Sequence, residues 1–191
     1  ALRRVTGTSS AARALATAGA CLIQVDEPFL AGYPEKVELA VKALTTVFAG
    51  VGGGQTQRAV HVCYGNRFAR PLWEGHYDFL FPAILEAEID QLVLEFARKG
   101  YDDLRLFKRY RPEAFALGLG VVDVKRPEVE SAETVAQRIR RALEVLPPER
   151  LMINPDCGLR NLPSETARQK LQAMTAGVEI ARRDLGIGHD A

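Results

Sequence analysis

The stretch Ala59-Val60-His61-Val62-Cys63 decides how the chain is read. It is a short apolar run with β-branched residues, and it ends in two side chains that can ligate a metal. Four other runs share its character: residues 21–25 (CLIQV), 91–95 (QLVLE), 116–122 (ALGLGVV) and 151–154 (LMIN). All are almost wholly apolar, as expected of strands covered on both faces. Between them, apolar residues recur at helical spacing. Residues 35–49 align Val37, Val41, Leu44 and Phe48. Residues 133–146 align Val135, Ile139 and Leu143 ahead of a Pro147-Pro148 stop. Residues 164–185 align Leu171, Met174 and Val178, with Ser164 as the expected N-cap. Residues 77–89 read as a helix disturbed at Pro82. Residues 98–114 are less regular, with Tyr101, Leu104 and Phe107 as their apolar members.

Strands that alternate with helices imply parallel βαβ units. The polar residues gather where the strands end: Asp26, Glu27, His61, Cys63, Glu95, Asp123, Asp156 and Cys157. That is the distribution of an α/β (β/α)8 TIM barrel, whose site is built from the C-terminal ends of several strands. A complete barrel needs about 250 residues, so a chain with only five strand runs is expected to supply its C-terminal five or so βα units, with about three absent before residue 1. Residues 1–191 then form a single domain. The remaining units belong to another chain, an unseen segment or a swapped copy. A doubly wound sheet is the alternative architecture. The turn at 50–55 (GVGGGQ) lacks the Lys and Ser/Thr of a phosphate-binding loop and precedes a strand.

The 191 residues are 47% hydrophobic and 26% charged, with a formal net charge of +1. This describes an ordinary globular protein with no charge excess for nucleic acid or an anionic membrane. No apolar run approaches the roughly 20 residues of a membrane span, and the N-terminus lacks a signal-peptide layout. Three cysteines, widely separated, do not make a secreted disulfide framework and fit a reducing cytoplasm. The first residue is Ala1, not Met, which fits a fragment or a processed product.

His61, Cys63, Glu95 and Cys157 are the candidate metal ligands, and Zn2+ is the ion that such a set suits. His61 and Cys63 are two apart on a strand and face the same way. Glu95 closes an apolar run, where a carboxylate is costly to bury unless a metal or partner neutralises it; a salt-bridged strand end is the bland alternative. Cys157 lies in a tight turn just past a strand. The four converge only if the sheet is a barrel. Thiolate-bound zinc can also bind an incoming thiol and hold it as thiolate. Cys21 reads as core, His189 as part of a Gly-rich tail, and His76 as a loop residue within reach of the site.

The segments IQVDEP (23–28), HVCY (61–64), Glu95, GVVDV (120–124) and NPDCGL (154–159) occur in the order found in the catalytic barrel of cobalamin-independent methionine synthase, which the chain resembles over residues 18–185. The resemblance implies a (β/α)8 barrel in which His61, Cys63, Glu95 and Cys157 bind zinc. It implies that Asp26, with Glu27 beside it, binds the amino acid thiol. The implied reaction is methyl transfer to homocysteine, the donor being methyltetrahydrofolate or a methylated corrinoid carrier. The sequence departs from the family pattern at Lys125, which stands where methionine synthases carry a proton-donating His. Lysine is a poor acid at neutral pH unless its pKa falls. Lys125 and His76 are therefore the candidate catalytic residues.

Two other readings accompany this one. One is a different thiol and electrophile: epoxyalkane–coenzyme M transferase resembles the same zinc barrel and uses a zinc thiolate to open an epoxide, and Lys125 or Arg126 would then bind an anionic substrate group. A non-catalytic subunit that completes a partner's barrel is the other. A porphyrin- or corrinoid-binding barrel of the decarboxylase type does not need the H-x-C and NPDCG pair.

Overall fold

A computed structural model describes residues 2–52 and 55–187, with side chains from residue 8 onward. His189 and part of the glycine-rich turn lie outside the described residues. The chain forms one five-stranded sheet: β1 (Leu22–Asp26), β2 (Gln57–Val62), β3 (Gln91–Leu94), β4 (Ala116–Val122) and β5 (Leu151–Pro155). Every pairing is parallel, and the spatial order β1-β2-β3-β4-β5 is the order in sequence. A doubly wound sheet reverses its order at a switch point. A sheet that only adds neighbours in sequence is the wall of a barrel.

Curvature says the same. β2 and β5 are three strand spacings apart, about 14 Å along a flat sheet. Yet the Sγ atoms of Cys63 and Cys157, just past those two strands, are 3.9 Å apart. Only a curled sheet brings them together. The five strands are therefore consecutive units of a (β/α)8 barrel.

Residues of the middle strands are sealed from water: Val60, Val62, Leu92, Leu94, Leu117 and Leu119 are all 0% exposed. Helices α1 (Leu2–Thr17), α2 (Val37–Phe48), α3 (Leu104–Tyr110), α4 (Ala132–Leu143) and α5 (Ser164–Asp184) complete the fold. α2 buries Val41, Leu44, Val47 and Phe48, close to the stripe its periodicity predicts. α4 and α5 cross closely at Gly177, where a Cβ would lie 2.5 Å from Val135. The edge strands are less protected: Leu22 on β1 and Met152 on β5 are exposed.

One helix was not foreseen, and two local expectations change. α1 precedes the first strand and carries no apolar stripe that announces it; Ala12, at least, is buried in the core. Residues 77–89 are two 3-10 turns, Tyr77–Leu80 and Ala83–Glu86, rather than a helix. Pro82 has no N–H and cannot continue a helix, but Tyr77, Leu80 and Ile84 still reach the core. Ser164 is the first residue of α5, not its cap. The hydroxyl that does cap a helix is Ser131 Oγ, which accepts Thr134 N–H at 3.1 Å and starts α4. Among the described residues no helix is long and apolar enough to cross a membrane.

Candidate active site

His61 on β2, Cys63 just past it and Cys157 in the turn after β5 bring one donor atom each within 4.8 Å of one another. The register that pairs His61 with Asp26 on β1 and Val93 on β3 sets this level of the sheet. His61 Nδ1 lies 3.2 Å from the Val93 carbonyl. A carbonyl only accepts, so this bond assigns the proton to Nδ1 and leaves the Nε2 lone pair free. Nε2 is buried and has no hydrogen-bond partner among the described residues. A buried nitrogen left unpaired is costly. Oriented towards two cysteines, it fits a metal-ion donor.

The thiols are unequal. Cys157 is pushed down to about 4, chiefly by its hydrogen bond to Cys63 and, against burial, by His61. Cys63 is pushed well up by the same bond and by burial. Without a metal, the two sulfurs share one negative charge. His61 is raised despite its burial, because Cys157 favours the protonated ring. A neutral imidazole and two thiolates are a donor set for zinc, and a second-sphere carbonyl on the far ring nitrogen is its usual companion.

Glu95, just past β3, has a different setting. Its side chain is fully buried; Oε2 accepts Lys125 Nζ at 2.7 Å and Oε1 accepts Arg98 Nη2 at 3.1 Å. Arg98 also holds Glu74 through two nitrogens, at 2.9 and 3.0 Å. The Glu95 N–H donates to Tyr77 Oη at 3.1 Å, and that hydroxyl donates to the Val62 carbonyl at 3.0 Å. Tyr77 thus stitches the ends of β2 and β3 together beyond their ladder.

Asp156 connects the two groups. Its Oδ1 accepts Phe96 and Ala97 N–H, both at 2.8 Å, and its Oδ2 accepts Arg98 N–H at 2.9 Å. The turn that carries Cys157 is therefore pinned to the loop that follows Glu95. Burial, with Glu95 nearby, pushes this carboxyl up to about 7 against the pull of those three N–H groups. Gly120 makes room for it: a Cβ there would sit 2.1 Å from Oδ1. A second tie runs across the mouth. Asn66 Nδ2 donates to the Gly158 carbonyl at 2.9 Å, and Asn161 Nδ2 to Asn66 Oδ1 at 3.0 Å.

A cavity of about 700 Å³ opens over the cluster, lined by His61, Cys63, Cys157, Asp26, Arg67 and Phe68 among others. At its rim Arg67 and Arg70 exchange both backbone hydrogen bonds at 3.0 Å, closing a two-residue turn. Phe68 (φ 52°) and Ala69 (φ 58°) occupy left-handed conformations there.

The expected site residues are thus distributed unevenly. Asp26 is exposed on the cavity wall, with Oδ1 accepting Gln24 Nε2 at 2.8 Å. Glu27 lines a neighbouring apolar groove with Phe29, Tyr33 and Leu39, and burial raises its pKa. Lys125 is buried against Glu95 and is not on the cavity wall. His76 also lies off that wall, with Nδ1 2.8 Å from Asp103 Oδ1. Cys21 is exposed rather than core, since it precedes an edge strand. The sequence reading did not find Arg98, Tyr77, Gly120, Asn66 or Asn161, none of which carries a local pattern. Asp156 had one signal: an acid placed between a strand and a ligating Cys.

Residues 4–182 match the family model described as the cobalamin-independent synthase catalytic domain. A methionine synthase of Thermococcus kodakarensis is 41% identical over 167 residues, covering 87% of this chain and 45% of that protein. One from Saccharolobus solfataricus is 39% identical over 171 residues, covering 90% and 47%. The chain thus spans about half the length of the curated relatives it matches. Among solved structures, a B12-independent methionine synthase from Shewanella sp. W3-18-1, in complex with selenomethionine, superposes with a TM-score of 0.81 at 28% identity, covering 93% of this chain and 53% of that one. A putative vitamin-B12-independent methionine synthase from Listeria monocytogenes, at 19% identity and a TM-score of 0.66 over 94% of this chain and 53% of that one, shares the fold.

Proposed function

The chain belongs to the family of cobalamin-independent synthase catalytic domains, and from that premise we propose that it forms the thiol-activating part of a zinc-dependent methyltransferase that converts homocysteine to methionine. The observation that carries the reading is the convergence of His61, Cys63 and Cys157 around the unpaired His61 Nε2. These residues hold the zinc. Glu95, the fourth ligand by family resemblance, lies beside them in ion pairs with Lys125 and Arg98. Zinc bound there lowers the pKa of a substrate thiol and keeps it as thiolate at neutral pH.

The chain's own groups do the rest. Asp26 on the cavity wall anchors the amino acid ammonium, with Glu27 adjoining, and Arg67 and Arg160 on the same wall supply positive charge for the carboxylate. His61 is held in one tautomer by Val93. Lys125 is turned inward, and His76 is bonded to Asp103. Both settings support a donor that needs no protonated leaving nitrogen, a methylated corrinoid carrier rather than methyltetrahydrofolate. The barrel is completed by further βα units, in the same polypeptide or in a complementing copy, and the reaction is cytoplasmic.

The test is metal content with thiol binding. Purified protein should carry about one zinc per chain, the complement of one tetrahedral site. Homocysteine should bind to the zinc-loaded form and not to the stripped one. Asp26→Asn should weaken that binding while zinc is retained. A chain that takes up no zinc, or whose homocysteine affinity ignores the metal, does not have this function.

A further inference from the structure

Cys63 lies in the loop after β2 and Cys157 in the turn after β5, and strands β3 and β4 stand between them. Apart from the contact between the two sulfurs, every hydrogen bond between that loop and that turn among the described residues passes through Asn66. Its Nδ2 donates to the Gly158 carbonyl at 2.9 Å, its Oδ1 accepts Asn161 Nδ2 at 3.0 Å, and its backbone carbonyl accepts the same Nδ2 at 3.1 Å. Both carboxamides are thereby fixed in orientation, because each Nδ2 faces a backbone carbonyl, which only accepts.

The tie adjoins the sulfurs on both sides. Asn66 follows Cys63 by three residues. Gly65 between them has a left-handed φ of 86°, and a Cβ there would lie 2.8 Å from Leu72 Cγ. The base of the loop is fixed as well, since the Tyr64 carbonyl accepts Leu72 and Trp73 N–H at 2.7 and 3.2 Å. Cys157 is bracketed: Asp156 before it is held by the N–H groups of residues 96–98, and Gly158 after it by Asn66.

We propose that Asn66 presets the metal site, as a positioning residue that holds Cys63 and Cys157 at the separation zinc needs before the ion arrives. The inference rests on the zinc reading of the site and applies alike with Glu95 as the fourth ligand.

Distance supports it. Two sulfurs each about 2.3 Å from one tetrahedral zinc are about 3.8 Å apart. The two Sγ atoms already stand 3.9 Å apart. A preformed pair spares the ion the ordering of two loops, which would otherwise be subtracted from its binding. The side chain is specific to the task, since an asparagine donates at one atom and accepts at the other. Aspartate has the same shape but no donor for the Gly158 carbonyl.

The experiment uses the full chain and three readouts: zinc affinity by competition with a chromophoric chelator, the absorption spectrum of the cobalt-substituted form, and the urea midpoint of the metal-free protein. Asn66→Ala should bind zinc at least about tenfold more weakly, as is typical when a group that orients a ligand is lost. Its cobalt bands should shift, and Asn66→Asp should match it. The metal-free midpoint should stay near that of wild type, because Asn66 is part-exposed. Asn161→Ala keeps the bond from Asn66 to Gly158 and should cost less, about two- to tenfold, the worth of a single hydrogen bond. If Asn66→Ala does not fold, the Asn66→Asp comparison decides. Zinc binding within about threefold of wild type, against the roughly 10–100-fold of such a loss, with unchanged cobalt bands, overturns the proposal and leaves the zinc reading intact. Weaker binding with unchanged bands and a lowered metal-free midpoint is a general loss of stability and overturns it too. Wild-type protein that binds no zinc overturns both.

Discussion

Two polar clusters sit side by side at the ends of β2 and β3, and they treat their atoms in opposite ways. Around His61, a buried ring nitrogen has no hydrogen-bond partner and two sulfurs share one charge. Around Glu95, both carboxylate oxygens and the backbone N–H are paired. A fold tolerates an unsatisfied buried group where something is to be bound, and satisfies the rest for its own stability. The first cluster is built for a ligand that the chain does not itself supply. The second is already paired within the chain.

Replacing the paired acid should therefore hurt folding most. Glu95→Ala strands Lys125 in the interior, and urea unfolding should show a loss of about 3–5 kcal/mol, the range for a broken buried ion pair. A loss below about 1 kcal/mol would mean that the pair is solvated in solution. Gly120→Ala attacks the connection between the clusters. Its Cβ would fall 2.1 Å from Asp156 Oδ1, so the expected cost is about 1–3 kcal/mol, together with weaker zinc binding, because the Cys157 turn shifts.

Changes in the unpaired cluster should barely touch folding of the metal-free chain. Cys157→Ser should leave the urea midpoint nearly unchanged and reduce zinc affinity by at least about tenfold. The smallest effect concerns reactivity. Cys157 is depressed to about 4, so it stays thiolate as pH falls from 8 to 6 and gains its proton only near 4. Alkylation of Cys157 in the metal-free protein by iodoacetamide, followed on its own peptide because the exposed Cys21 is labelled too, should have a rate flat over that upper range, declining on further acidification. Bound zinc should suppress it. A Cys157 labelling rate that climbs steeply between pH 7 and 9 would indicate an ordinary thiol.

Much of this architecture was legible in the sequence because parallel strands buried on both faces leave so little room for polar residues. Whatever polar side chain remains is at a strand end, and His61, Cys63, Glu95 and Cys157 were singled out that way; the donor atoms of His61, Cys63 and Cys157 lie together. The periodicity of α2 and α4 was equally plain. What could not be read is how the acids would be matched. Nothing in the order of residues says that Lys125, thirty positions on, faces Glu95, or that Asp156 accepts from residues 96–98. Those are contacts between the loops that follow β3, β4 and β5, set by curvature. The stretch 77–89 misled for a related reason: its apolar spacing serves the core through two separate turns.

The Phe68–Ala69 turn has a practical consequence. Two-residue turns with both positions left-handed are ordinarily Asn-Gly, because other side chains are strained there. Here a phenylalanine and an alanine hold those positions at the lip of the cavity. Asn-Gly at 68 and 69 is thus a simple repair that touches neither the metal donors nor the buried ion pair. For directed evolution this makes the lip a doubly useful handle. Diversity at these two codons reshapes the entrance, and the relaxed version gives a sturdier parent on which riskier changes deeper in the barrel can be tried.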